Sequence, residues 1–128
     1  TRPVSLRGGL AFVLLTGTAA HLLFSWMGFN PTDEGFTLSA SRRLLEGEVP
    51  HRDFISMRPP GPYLAFLPVV WLGGGCTFWL SRWVAWLQFA TVAWCWVFAF
   101  DSILDCRLSA GSRVLLGLAA FALSAHNF

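Results

Sequence analysis

The chain has 128 residues, 55% of them hydrophobic, a mean hydropathy of +0.56 and only 12% charged side chains. Soluble domains carry about 25% charged residues, and a chain this short cannot hide so much apolar surface in its own core. A bilayer is the expected solvent. A net charge of +2, spread along the sequence, excludes a nucleic-acid surface.

All nine basic residues are arginine, and there are seven tryptophans and twelve phenylalanines. Tryptophan favours the membrane interface, where its ring is buried and its N–H stays wet. Cys76, Cys95 and Cys106 form no Cys-x-x-Cys pair, and histidine is too sparse for a zinc set. The three cysteines read as small buried or interfacial residues.

The first apolar run covers residues 8–29. A helix of ~22 residues spans ~33 Å, enough for a hydrocarbon core of ~30 Å. Arg2 and Arg7 flank its start and Trp26 lies near its end. A signal peptide is the competing reading. The length of the run and the lack of a small-residue cleavage site favour a span.

Residues 30–82 form the expected loop. An amphipathic helix is predicted over 33–46, capped by Asn30 or Thr32, with Asp33 and Glu34 in its first turn. Phe36, Ala40 and Leu44 share one face, with Leu45 alongside. Gly47 stops the helix and Pro50 prevents a restart. The apolar stretch that follows is interrupted by Pro68 and closed by three glycines. Its central apolar run, Tyr63 to Leu72, covers only ~15 Å as a helix. It reads as an interfacial helix over 62–73, with Tyr63 and Trp71 at headgroup depth. A tilted span extended to Trp79 is the alternative.

A second span is predicted over 83–104 and a third over 114–128. Asp101 and Asp105 are expected to face water at a helix end. His21, mid-span, reads as a neutral side chain bonded to a neighbouring helix rather than a proton relay. Arg2, Arg7, Arg107 and Arg113 fall on one side and the four arginines of residues 42–58 on the other, so the positive-inside rule sets no orientation. The chain opens on Thr1 and stops at Phe128 beside an apolar run, and a fragment of a longer polypeptide is expected. The fold class is thus an all-α membrane protein with about three transmembrane helices, an amphipathic loop helix and a juxtamembrane interfacial helix.

Three sets of residues carry candidate chemistry. Asp33 and Glu34 are adjacent carboxylates just beyond a membrane exit. They can serve as a general base or metal ligand, or simply complement a helix dipole. Arg58 precedes two prolines that restrict its backbone. An arginine at headgroup depth can grip a phosphate with its planar fork, or snorkel to lipid phosphates without further role. His51-Arg52-Asp53 reads as a solvated loop with a local Arg–Asp contact. Glu46 and Glu48 read as surface charges.

Taken together, residues 33–75, DEGFTLSASRRLLEGEVPHRDFISMRPPGPYLAFLPVVWLGGG, resemble the first extracytoplasmic loop of GT-C glycosyltransferases. That superfamily includes protein O-mannosyltransferases and the aminoarabinose transferases that act on lipid A. Its pattern is a first span, Asp-Glu, an "ARRLLEG-x-x-P-x-RD" helix and turn, a basic-Pro-Pro element, and a juxtamembrane apolar helix ending in glycine. This sequence supplies each part in order over about a third of its length.

The resemblance implies a bacterial inner-membrane, multi-pass enzyme with residues 30–82 on the extracytoplasmic face. It implies a polyprenyl-phosphate sugar donor and a lipid, glycan or protein acceptor, with Asp33 matching the acid that activates the acceptor. Glu34 is the supporting carboxylate. Arg58 stands where a basic residue, often lysine, contacts the donor phosphate. A divalent metal ion is an open cofactor, with Asp33 as its candidate ligand. Thr37 stands where several members have tyrosine and receives no role. The family's second acid belongs to the next extracytoplasmic loop, beyond the third span, so these residues alone are not expected to catalyse transfer. Two readings compete: a non-catalytic membrane anchor or assembly subunit, and a transporter. The transporter is disfavoured because its polar groups would lie at the bilayer midplane.

Overall fold

The computed structural model describes residues 5–27, 31–103 and 108–125, and among these the chain is all-α with no strand. The helices are α1 (Leu6–Phe24), α2 (Phe36–Leu45), α3 (Gly61–Gly73), α4 (Thr77–Ile103) and α5 (Ala110–Ala125). A π-helical turn, Pro31–Gly35, leads into α2, and a 3₁₀ turn, Gly74–Cys76, joins α3 to α4. Contacts divide the chain into two compact units. One is Thr1–Ser25 with Trp83–Phe128, and the other is Trp26–Arg82.

In the first unit, α1 starts at Ser5, whose extended backbone turns its hydroxyl to accept from the Gly8 amide at 3.0 Å. Small residues let α1 approach α4. A Cβ at Gly17 would lie 2.8 Å from Leu87 Cδ2 and 3.1 Å from Leu87 Cα, and one at Gly9 would fall on the Trp94 indole. Gly117 of α5 is similarly closed by Phe12, whose Cζ would be 2.8 Å away. Ala90, Ala93 and Val97 are buried on one face of α4, as i, i+3, i+7 spacing requires.

Indole N–H groups add polar links between these helices. Trp83 Nε1 donates to Thr18 Oγ1 at 3.1 Å, and Trp86 Nε1 donates to Ser25 Oγ at 3.0 Å. His21 Nδ1 shares a hydrogen with the same Ser25 oxygen at 2.8 Å. His21 is therefore joined to its neighbour α4 through Ser25. Large apolar side chains, among them Leu15, Leu22, Trp96, Phe98, Leu115 and Leu123, remain exposed. Leu6–Phe24 and the helical run Gly61–Ile103 are long and apolar enough to cross a membrane by length and composition, and Ala110–Ala125 is a shorter apolar helix.

In the second unit, α2 packs on α3. Its end is a Schellman cap: Gly47, at φ 90°, donates to the Leu44 carbonyl at 3.1 Å, while Glu48 donates to that of Arg43 at 3.0 Å. Gly47 is thus the predicted stop. The start of the helix differs from expectation. Asp33 and Glu34 lie in the π-helical turn rather than in the first α turn, and that turn runs into α2 with no side-chain cap. Asn30 lies outside the described residues.

The buried face of α2 also differs: it is Thr37, Leu38, Ala40 and Ser41, while Leu45 is exposed. Thr37 and Ser41 each donate to a carbonyl four residues back, which satisfies their hydroxyls and lets polar side chains face inward. Helix α3 continues through Pro68 instead of breaking there. Losing one N–H costs a helix one hydrogen bond without forcing a stop.

Helix α4 begins at Thr77, earlier than the predicted span, and α5 begins at Ala110. Asp101 does not face water freely: it accepts from Arg113 at 3.0 Å, and both side chains are largely buried. Asp105, Cys106 and Arg107 lie outside the described residues. Cys76 and Cys95 are exposed rather than buried.

Candidate functional site

The predicted site residues Asp33, Glu34 and Arg58 all fall in the second unit, and the fold brings two of them together. Arg58 Nη2 donates to Asp33 Oδ1 across 25 residues of sequence. The side chains stay 42% and 56% exposed, so the pair is held weakly, by about 0.2–1 kcal/mol. A stronger anion can displace the carboxylate from the guanidinium. The Arg58 guanidinium also lies over the Phe36 ring, 5.9 Å from its centroid, where the ring face attracts a cation.

Glu34 points elsewhere. It accepts from Arg82 Nη2 at 3.2 Å, and the two side chains are only 15% and 14% exposed. Arg82 Nη1 also reaches the Met27 carbonyl at 3.5 Å. Sequence reasoning gave Arg82 no role. The signal was there: it is a lone arginine immediately before a long uncharged apolar run. Its partner, however, lies 48 residues away. The two carboxylates therefore differ in kind. Glu34 is locked in a largely buried ion pair, whereas Asp33 sits at the surface beside an exchangeable arginine.

Buried hydroxyls hold the main chain of both partners of the Asp33–Arg58 pair. Tyr63, in the first turn of α3, is fully buried. Its hydroxyl is 2.8 Å from Ser56 Oγ, which donates to the Arg58 carbonyl at 2.8 Å. Ser41 Oγ is within 2.8 Å of the Thr37 carbonyl and 2.9 Å of the Tyr63 carbonyl, and Thr37 Oγ1 donates to the Asp33 carbonyl at 3.0 Å. Thr37, which the sequence left without a role, thus ties the Asp33 backbone to α2.

The loop between α2 and α3 is organised by Asp53. Its carboxylate accepts from the Val49 amide at 2.7 Å and from the Arg52 fork at 2.7–3.1 Å. The Arg52 hydrogen bonds, with help from the Val49 amide, hold the Asp53 carboxyl at about 2, well below the usual carboxylate range. Arg43 stacks on Phe54, 4.4 Å from its centroid, and pairs with Glu48. Glu46 pairs with Arg42 at 3.0 Å. The expected Arg52–Asp53 contact is present, and the two glutamates are paired surface charges.

Among the described residues, no three His, Cys, Asp or Glu side chains come together to hold a metal ion. Asp33 meets a guanidinium, and a cation bound there would face like charge. These residues as arranged do not fit a metal. No family model, curated protein or solved structure matches the chain.

Proposed function

We propose that the chain is the N-terminal part of an integral membrane glycosyltransferase of the GT-C kind. It transfers a sugar from a polyprenyl-phosphate donor to an acceptor on the extracytoplasmic side of a bacterial inner membrane. In this reading α1, the length of α4 from Trp83 onward, and α5 are the three spans. The observation that carries it is the meeting of Asp33 with Arg58 at the surface of a unit built from the motif-bearing residues. Only 28% of the most apolar stretch of Leu6–Phe24 and 17% of that of Gly61–Ile103 are buried, whereas a soluble core helix of such composition would be mostly buried. That supports lipid as their solvent.

The chemistry follows from the exchangeable pair. The donor phosphate takes the Arg58 fork, since phosphate and guanidinium match bidentately. Asp33 is then released beside the acceptor hydroxyl. As the acceptor oxygen bonds to the anomeric carbon with inversion, its proton passes to Asp33 and the bond from carbon to phosphate oxygen breaks. The electrons of that bond leave with the polyprenyl phosphate, whose charge Arg58 stabilises.

Asp33→Asn in the complete protein is expected to abolish sugar transfer from a polyprenyl-phosphate donor in membrane vesicles, with expression intact. Full activity in that variant would remove Asp33 from the mechanism. If Asp33 and Arg58 are both dispensable for the protein's role, the anchor or assembly-subunit reading takes over.

A further inference from the structure

We propose that Tyr63 and Ser56 are positioning residues for the phosphate-binding arginine, fixing where Arg58 presents its fork. This rests on the donor reading above and deepens it.

The atoms present set the direction of these hydrogen bonds. The Arg58 carbonyl only accepts, so the single Ser56 hydroxyl hydrogen is committed to it at 2.8 Å. The Tyr63 hydroxyl, 2.8 Å from the same serine oxygen, must then be the donor to Ser56. A fully buried phenol thus pins a serine, and the serine pins the peptide that leaves Arg58. Pro59 follows directly, and a following proline restricts the backbone of Arg58 to extended conformations. The carbonyl tether and the proline together leave the Arg58 main chain little freedom.

Tyr63 also acts on the side chain of Arg58. Its ring meets Phe36 edge-on, with centroids 6.2 Å apart and planes at 67°. Phe36 is the ring over which the Arg58 guanidinium lies. One buried residue therefore supports the arginine twice, through its hydroxyl to the backbone and through its ring to the platform under the fork. The tyrosine is held in turn from α2, because Ser41 Oγ shares its one hydrogen between the Thr37 carbonyl at 2.8 Å and the Tyr63 carbonyl at 2.9 Å. Bidentate recognition of phosphate depends on angle as well as charge, so loosening this support weakens phosphate binding while the apolar part of the donor is unaffected.

The test compares two probes on the complete detergent-solubilised protein: a short-chain polyprenyl phosphate and the matching polyprenol. Tyr63→Phe and Ser56→Ala are each expected to weaken polyprenyl-phosphate binding about five- to tenfold, the size of one lost hydrogen bond. Polyprenol binding should stay unchanged, and Ser56→Thr, which keeps the hydroxyl, should restore affinity. In an Arg58→Ala background, adding Tyr63→Phe should cost nothing further. Wild-type affinity for the phosphate in both Tyr63→Phe and Ser56→Ala would overturn the proposal. So would equal loss of both probes, which is what a purely structural role would give. A wild-type protein that does not prefer the phosphate over the alcohol would overturn the donor reading itself, and that outcome is visible before any substitution is made.

Discussion

Asp33 is largely in solvent and Glu34 is largely out of it, and this separates what neighbouring carboxylates can do. Removing one partner from a largely buried ion pair strands the other charge, at a cost of about 3–5 kcal/mol. Glu34→Ala or Arg82→Ala should therefore lower the unfolding midpoint of the purified protein clearly. Arg58→Ala, which breaks an exposed pair, should shift it little. Arg58→Lys keeps the charge but loses the fork, so in the proposed transfer reaction the donor KM should rise while turnover is largely retained. Equal thermal shifts for Glu34→Ala and Arg58→Ala would contradict the division of roles.

Asp53 makes the second prediction at this scale. Its carboxyl is lowered from 3.8 to about 2 in the folded loop by the Arg52 hydrogen bonds. A group lowered by folding contributes stability above its unfolded value and loses it as pH falls through the folded one. The turn over residues 49–53 should thus hold at pH 5 and loosen between about 4 and 2. Hydrogen exchange at the Val49 amide, corrected for the intrinsic rate, reports this directly, because that amide donates to Asp53. In Asp53→Asn the acid-dependent step should vanish.

At the level of helices, α1 and α4 depend on close backbone approach at Gly17. The Leu87 main chain lies within contact distance of any added carbon there, and a backbone does not swing aside as a side-chain tip does. Gly17→Leu is expected to destabilise the first unit by about 1–3 kcal/mol, while Gly61→Ala, with open space around it, should be tolerated. Thermal unfolding in detergent distinguishes the two. Sequence reasoning located these helices because long apolar runs are conspicuous, and it placed the stop at Gly47 because only a residue at ease with positive φ fits there. It missed the inward turn of Thr37 and Ser41, since a hydroxyl that satisfies itself on its own helix looks polar in a sequence and behaves as filler in a core. The π-helical turn escaped for a related reason: its carbonyl pairings leave no residue pattern.

For the molecule as a whole, the candidate site was legible in part. Asp33 and Arg58 were recognised by residue type and order, but their meeting, and the pairing of Glu34 with Arg82, depend on contacts between distant parts of the chain. The membrane reading is checked by two exposed cysteines of different surroundings. In single-cysteine variants, an impermeant maleimide added to intact spheroplasts should label Cys76 and spare Cys95, which sits within the uncharged part of α4. Labelling of both, or of neither before lysis, would count against the proposed topology.

The Glu34–Arg82 pair also carries a consequence for biosynthesis. Synthesis runs from the N-terminus, so Glu34 leaves the ribosome while Arg82 is still 48 residues behind it. The Asp33–Arg58 pair, separated by only 25 residues, can form first. The second ion pair then forms only when the start of α4 arrives. Vectorial synthesis thus sets an order of assembly, in which the arginine at the mouth of the next helix closes the finished unit.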